Sequence, residues 1–400
     1  MRISSNTIFD SNVAALNQQQ ARLLQTQQQI TSGRRLLTAA DDPVAATRAL
    51  EISQSDATNT QYASNRDSAR NTLSLAEATL QSVTSLLQDV HDAAAGAGNS
   101  LLKSSDRSAI AADLSGRLQE LIGLANSTDG IGNYLFSGFQ SRTQPFANTA
   151  TGVVYSGDDG QRNVQVSAAR QMASSDSGAD VFMRIKNGNG KFATQAAAAN
   201  TGTGVISSGS VTNPAALVAG NSYTISFSVA AGVTSYTVTG APVALAPAMA
   251  GIPYVSGQAI SFDGMQLDIK GAPANGDTFT VAPSTNESIF TTISDLITAL
   301  SAPVVGANLT NSLGRGLNNL DNALNNVLAT RATLGLRLNE IDALQTAGED
   351  MGLQLKQTLS KLQDTDYNKA ISDLTQQNMS LQAAQKSFVK VTDLSLFTYI

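Results

Sequence analysis

Leu73-Ser74-Leu75-Ala76-Glu77-Ala78-Thr79-Leu80-Gln81-Ser82-Val83-Thr84-Ser85-Leu86-Leu87-Gln88-Asp89-Val90 is the stretch on which the reading of this chain turns. Leu73, Ala76, Leu80, Val83, Leu87 and Val90 alternate by three and four, the spacing of a coiled-coil-like seam, so a long helix with one apolar stripe is predicted. Toward the N-terminus, Asp42 and Pro43 mark its start. An aspartate accepts from the free N–H groups of a first turn, and proline at the first helical position forfeits no hydrogen bond. Toward the C-terminus a further helix is predicted over about residues 105–126, through Ile110, Leu114, Leu118, Leu121 and Ala125. A longer seam runs Leu317, Leu320, Leu324, Val327, Arg331, Leu334, Leu338, Ile341, broken at Arg331. It picks up again at Leu355, Leu359 and Leu362, after Gly348 and Gly352.

Between these helical ends the punctuation changes to Gly, Pro and Asn, and the apolar residues alternate by two. Tyr223, Ile225, Phe227 and Val229 alternate with Ser and Thr, and beyond Ala230-Ala231-Gly232 so do Tyr236-Thr237-Val238-Thr239, which predicts a hairpin. Ile260-Ser261-Phe262, Met265-Gln266-Leu267-Asp268-Ile269 and Thr278-Phe279-Thr280-Val281 continue the pattern, and Asp158-Asp159-Gly160 reads as a hairpin turn. Helix returns after Ser284-Thr285-Asn286-Glu287, a capping-box pattern just before Ile289-Phe290.

The expected fold class is α+β multidomain: a discontinuous N- and C-terminal α-helical coiled-coil bundle with an inserted antiparallel β domain. Residues 36–150 with 284–365 form the bundle, and residues 151–283 form an outer β-rich domain, in one or two subdomains. The ends, residues 1–35 and 366–400, carry thinner stripes. Leu16, Leu23, Ile30 and Leu37 recur every seven residues with Gln20 and Gln27 in the intermediate places; Leu374, Leu381 and Phe388 do so with Asn378 and Gln385 between them. Such stripes bury too little to offset an ordering cost of ~1–2 kcal/mol per residue, so the ends are expected to be disordered in a monomer and to pair on assembly.

Composition narrows the chemistry. The 400 residues include no Cys and one His, which removes thiolate nucleophiles, Cys-type zinc sites and multi-histidine metal sites. Charged residues make up 14%, and a net charge of −6 argues against a nucleic-acid surface, which needs clustered Lys and Arg. The N-terminus lacks the apolar stretch of a signal peptide, and no window holds the ~18 apolar residues of a membrane span. No G-x-S-x-G elbow, Walker A or H-E-x-x-H occurs. His91 reads as a rim histidine and Gly188-Asn189-Gly190-Lys191 as a Gly-rich turn. Asp364, Asp366 and Asn368 match the start of a calcium loop, but Lys369 stands where its glycine and Thr375 where its glutamate belong. Asp366 and Asp42 then read as helix caps. No catalytic residue, metal site or cofactor is expected.

The stretch Gln27-Gln28-Gln29-Ile30-Thr31-Ser32-Gly33-Arg34-Arg35-Leu36-Leu37-Thr38-Ala39-Ala40-Asp41-Asp42-Pro43, followed by Ala49-Leu50-Glu51, resembles the N-terminal signature of the bacterial flagellin family. Leu362-Gln363-Asp364-Thr365-Asp366-Tyr367 and Leu394-Ser395-Leu396-Phe397-Thr398-Tyr399-Ile400 resemble its C-terminal signature. Within the family, the Thr-Ala-Ala-Asp-Asp-Pro form of the motif, Asn133-Tyr134-Leu135-Phe136-Ser137-Gly138 leading to Pro145-Phe146, and the Leu-Phe-Thr-Tyr-Ile terminus are most similar to the hook-associated members of the hook–filament junction. The segments around Tyr254-Val255-Ser256-Gly257, Ile260 to Gly264 and Gly276 to Phe279 resemble a β segment of several hook-associated proteins.

The resemblance implies a non-enzymatic flagellar subunit, extracellular and secreted without a cleavable signal peptide. It would be exported unfolded through the type III apparatus with a cytoplasmic chaperone, and needed for motility. It would assemble with itself as a ring, with the first hook-associated protein on the hook side and flagellin on the filament side, and with neither nucleic acid nor membrane. Leu16, Leu23, Ile30, Leu374, Leu381, Phe388, Leu394, Leu396 and Phe397 would form the assembly interface. Ser32, Gly33, Asp41, Asp42, Pro43, Tyr134, Phe136, Gly138, Asp366 and Tyr367 would be the motif residues. The alternatives are a flagellin filament subunit, a secreted adhesin using the β domain, and a cytosolic coiled-coil scaffold.

Overall fold

A computed structural model describes residues 5–99, 101–302 and 306–393. The helices are α1 (Ser5–Ser32), α2 (Pro43–Ala97), α3 (Ser104–Ala125), α4 (Ile289–Ser301), α5 (Ala307–Gln363) and α6 (Tyr367–Asp393). Between α3 and α4 lie β1 (Phe146–Thr149), β2 (Gly152–Tyr155), β3 (Asn163–Ser167), β4 (Arg170–Ala173), β5 (Ile185–Lys186), β6 (Phe192–Ala196), β7 (Val205–Ile206) and β8 (Ser210–Val211). They are followed by β9 (Ser222–Ala230), β10 (Val233–Ala241), β11 (Met249–Pro253), β12 (Ala259–Phe262), β13 (Met265–Lys270), β14 (Thr278–Pro283) and β15 (Asn286–Glu287). The fold class is α+β, helices at both ends and antiparallel sheet between. The chain divides into two compact units, one made of the described residues up to Ser64 and from Ala343 onward, the other of Asn65–Asp342.

In the second unit the α2 seam is sealed. Leu73, Leu80, Val83 and Val90 are fully buried, and Ala94 and Ala97 extend the row. On α5 the buried row is Leu313, Leu320, Val327, Leu334 and Ile341, one residue every seven. Burying a leucine contributes about 1.5–3 kcal/mol, against a few tenths for helix propensity, so packing holds these helices. The two run antiparallel, as the pairs Arg70–Asp342, Arg331–Glu77 and His91–Asp321 require. Arg331 interrupts the seam without leaving a buried charge unmatched: its guanidinium donates to Glu77 Oε1 at 2.6 and 3.1 Å and to Thr84 Oγ1 at 3.4 Å. His91 is half-exposed, 3.5 Å from Asp92 and from Asp321.

From Phe192 to Val281 the β region is built around one core, while β1 with β2, β3 with β4 and β5 with β15 form separate two-stranded sheets. A five-stranded antiparallel sheet has the order β11-β10-β9-β14-β6, and a smaller sheet joins β12, β13 and β7, with β8 also on β13. Tyr223, Ile225, Phe227, Tyr236, Val238, Phe279 and Val281 of the first sheet bury their alternate side chains against Ile260, Phe262, Met265, Leu267 and Ile269 of the second. The β9–β10 hairpin turns at Ala231-Gly232, both with positive φ (52° and 81°), the geometry that matches the twist of paired strands.

The structure departs from the sequence pattern at four places. Helix α4 is capped by Ser288, whose Oγ accepts from Thr291 N at 3.0 Å. Glu287 belongs instead to β15 and accepts from Thr292 Oγ1 at 2.8 Å and Asn319 Nδ2 at 2.9 Å. Asp158-Asp159-Gly160 is no hairpin turn, because β2 pairs with β1 and β3 with β4. Helix α5 continues through Gly348 and Gly352, where Asn59 Nδ2 of α2 donates to Gly348 O at 2.8 Å and a side chain at position 352 would press on Asn59. Finally, α1 ends at Ser32, which places Leu37 past the helix.

Candidate assembly interface

In the terminal unit α1 packs along α6. Leu16, Leu23 and Ile30 are half-buried on α1, and Leu374, Leu381 and Phe388 on α6. Phe9 meets Phe388 with ring centroids 5.3 Å apart. The intermediate places of these stripes are not the expected ones. Gln19 and Thr26 lie inward on α1, and Gln377 and Ala384 on α6, whereas Gln20, Gln27, Asn378 and Gln385 are exposed. The spacing therefore runs three then four from Leu16, a choice that a seven-residue recurrence leaves open. The outer side of the pair also carries apolar residues: Leu24 is 55% exposed, Ile371 53% and Met379 61%. Leu394, Leu396 and Phe397 lie outside the described residues.

The two terminal signatures meet in space. Arg34 and Asp364 form an antiparallel bridge; Arg35 N donates to Gln363 O at 2.6 Å, Thr365 N to Gly33 O at 3.0 Å, and the Arg35 guanidinium to Leu362 O at 2.8 Å. Gln29 Nε2 donates to Arg35 O at 2.8 Å and Thr365 Oγ1 to Gln29 O at 3.3 Å, which ties the connector to the end of α1. Ser32 Oγ accepts from Arg34 N at 3.2 Å as the chain leaves α1. Gly33 follows, and a side chain there would sit 3.0 Å from the Tyr367 hydroxyl.

Three aspartates shape the ends of these connectors. Asp41 Oδ2 accepts from Thr38 N at 2.8 Å and Leu37 N at 3.0 Å, and Oδ1 accepts from Gln25 Nε2 at 2.8 Å. The Thr38 N–H above all, helped by Leu37, the Thr38 hydroxyl and Gln25 and opposed by burial, holds the Asp41 carboxyl below the usual carboxylate range. Asp42 Oδ1 accepts from Ala45 N at 3.0 Å, with Pro43 as the first residue of α2, which is the cap that the Asp-Pro pair predicts. Asp366 Oδ1 accepts from Asn368 N at 3.0 Å and Lys369 N at 3.2 Å and starts α6 in the same way. These carboxylates are occupied by backbone donors. Among the described residues no cluster of three or more His, Asp or Glu is placed to hold a metal ion.

The Tyr134 to Gly138 motif belongs to the second unit, where it seals an aromatic cluster. Phe136 and Phe146 each stand edge-on to Phe182, at 5.3 and 5.4 Å, and Phe290 lies 5.2 Å from Phe146. Tyr134 N donates to Ser141 O at 2.7 Å and closes the loop over the cluster. Gly138 has φ +70°, and a side chain there would fall 2.1 Å from Asp158 Oδ1, so only glycine fits. Asp158 Oδ1 accepts from Phe139 N at 2.9 Å and Gly160 N at 2.8 Å, which holds its carboxyl below the ordinary range and explains this aspartate better than a turn. Phe136 of this cluster lies in a recognisable motif, whereas Phe182, Phe290 and Tyr155, whose ring centroid lies 5.1 Å from that of Phe146, belong to none. The signal was only that large aromatics stand out where aromatic residues are 5% of the chain.

Comparison with known proteins follows the same residues. Residues 3–141 match the family described as bacterial flagellin N-terminal helical region, and residues 195–283 match flagellar hook-associated protein 1, D2-like domain. Flagellar hook-associated protein 3 of Salmonella typhimurium is 29% identical over 402 residues, covering 99% of both chains. The crystal structure of the flagellar junction protein FlgL from Legionella pneumophila is 34% identical, with a TM-score of 0.72 over 79% of this chain and 100% of that one. FlgL of Xanthomonas campestris is 32% identical, with a TM-score of 0.71 over 77% of this chain and 99% of that one. Sequence identity and fold agree along nearly the whole length of these relatives, and the chain belongs to the flagellar hook-associated protein 3 (FlgL) family.

Proposed function

We propose that the chain is a structural subunit of the bacterial flagellum at the hook–filament junction, and that copies join through the α1–α6 pair into a ring. The ring meets the first hook-associated protein on one side and flagellin on the other. The observation that carries this reading is the unfinished burial of the terminal pair. Leu16, Leu23, Ile30, Leu374, Leu381 and Phe388 are half-buried in the single chain, and Leu24, Ile371 and Met379 face outward. Neighbouring copies supply the missing apolar cover.

In this reading residues 1–35 and 366–400 fold on assembly, residues 36–150 with 284–365 form the shell of the ring, and residues 151–283 face outward. The chain is exported unfolded through the type III apparatus, with a cytoplasmic chaperone held until export, and it serves motility. The absence of Cys suits threading through a channel, because no disulfide can form on the way. Among the described residues no helix is long and apolar enough to cross a membrane.

Limited proteolysis and circular dichroism of dilute purified protein test the assembly account. Residues 1–35 and 366–400 are expected to be cleaved first and to gain helicity only when copies associate. Protease-resistant, helical ends at dilution would sink it. Seeding the purified protein onto hooks and looking by electron microscopy separates junction from filament: long tubes of this chain alone would make it a filament subunit instead.

A further inference from the structure

Helix α5 carries Asn308, Asn311, Asn319, Asn322 and Asn326 on one face, with Arg315 in the intermediate place. Asparagine is a poor helix former because its amide competes for nearby backbone, so this concentration calls for a use outside the helix. The use is visible along the segment that leads into the β domain. Asn308 Nδ2 donates to Asn200 O at 2.9 Å. Asn311 Nδ2 donates to Gly204 O at 3.0 Å while its Oδ1 accepts from Ile206 N at 3.0 Å. Asn319 Oδ1 accepts from Gly188 N at 3.0 Å. Asn322 Nδ2 donates to Lys186 O at 2.9 Å and Gly188 O at 2.7 Å, and Asn326 Nδ2 to Asp180 O at 2.9 Å and Val181 O at 3.0 Å.

Every rung joins a short, two-headed amide to main chain: Asn308, Asn322 and Asn326 donate to carbonyls, Asn319 accepts from an N–H and Asn311 does both, a sequence of groups that matches the facing main chain in one register. The apolar row of α5, at Leu313, Leu320, Val327, Leu334 and Ile341, is a separate set of positions. Where β6 and β7 come near α4 and α5 the described residues leave a cavity of about 590 Å³, lined in part by Thr194, Ile206, Thr298, Asn308 and Asn311. An apolar seam loses its full burial when it opens, whereas water replaces a neutral amide hydrogen bond at small net cost.

We propose that the Asn308 and Asn311 rungs of this row are a releasable joint, from which the edge of the β domain at residues 198–208 can leave α5 and to which it returns in the same register, while the rungs at Asn319, Asn322 and Asn326 stay closed on residues 180–188, which the buried Val181 and Phe182 keep in the bundle. The inference is independent of the junction role. Hydrogen exchange of the full chain tests it, first without any substitution. In mild denaturant, amides of residues 198–208 are expected to open well before those of residues 222–241 and 73–90; one common opening would overturn the proposal. In the double variant Asn308→Leu, Asn311→Leu, which keeps side-chain size and removes the amides, exchange over residues 198–208 rises ~10-fold while the other two segments stay unchanged. No rise, or a rise shared by all three segments, refutes the joint. So does an equal rise in Asn325→Leu, which lies outside the row.

Discussion

The inward-facing positions of α2 and of α1 recur at the same three-and-four spacing and end at different depths. Leu73, Leu80, Val83 and Val90 are fully buried against a bundle that the chain completes by itself. Leu16, Leu23 and Ile30, with Gln19 and Thr26 between them, remain half-buried against a single partner helix. Spacing alone thus names a face of a helix; the identity of the intermediate residues, and what stands opposite, decide how far that face is sealed. The two units also differ in what orders them. The bundle rests on apolar burial, whereas the ends of α1, α2, α5 and α6 are organised by backbone pairing across Arg34 and Asp364 and by the aspartate caps at Asp41, Asp42 and Asp366.

Truncating each stripe is the strongest way to break this contrast. Leu80→Ala is expected to lower the urea-unfolding free energy of the bundle by about 3 kcal/mol, from lost transfer energy and the cavity left behind. Leu23→Ala should shift the same transition by less than ~0.5 kcal/mol and yet abolish association of copies in sedimentation. Equal losses of stability would erase the distinction between core and interface.

A smaller effect sharpens the second half of the comparison. Asp42→Ala removes the acceptor for Ala45 N and is expected to cost about 1 kcal/mol, seen as faster amide exchange over the first turn of α2 with the residues 73–90 seam unchanged. A loss spread into the seam would mean that the cap and the bundle melt as one.

The smallest expected effect concerns pH. Arg170, through its hydrogen bonds of 2.6 and 2.9 Å and its charge, holds the Glu340 carboxyl below the ordinary range against a modest opposing effect of burial. The folded value lies below the unfolded one, so the pair's stabilisation is present above the unfolded glutamate value of about 4.3 and is lost as pH falls through the folded value. Both partners are substantially exposed, which limits the contribution to at most ~1 kcal/mol. Glu340→Gln should flatten that part of the acid limb of the urea midpoint against pH. An unchanged acid limb would place the acid sensitivity elsewhere.

Helices at both ends, strands between, the Asp42-Pro43 start of α2 and the hairpin beyond Ala230 were legible from local pattern, because period, caps and turns are written within a few residues of where they act. The capping box before α4 misled because Ser288 competes with Ser284 for the same role, and pairing of β15 with β5 settled it. The aspartate at position 158 misled because its partners, Phe139 and Gly160, include one far outside any local window.

By itself the sequence determined the class of the fold, the faces of the helices and, through its two terminal signatures, the family. Only the tertiary structure decided that those signatures bond to each other at Arg34 and Asp364, that Arg331 is neutralised by Glu77 inside the seam, and that the asparagines of α5 hold the main chain of a distant segment. The physical reason is one of range. Periodicity and capping are set by neighbours along the chain, while the partner of a charge, an amide or a half-apolar stripe is set by which distant groups the folded backbone brings within hydrogen-bonding reach.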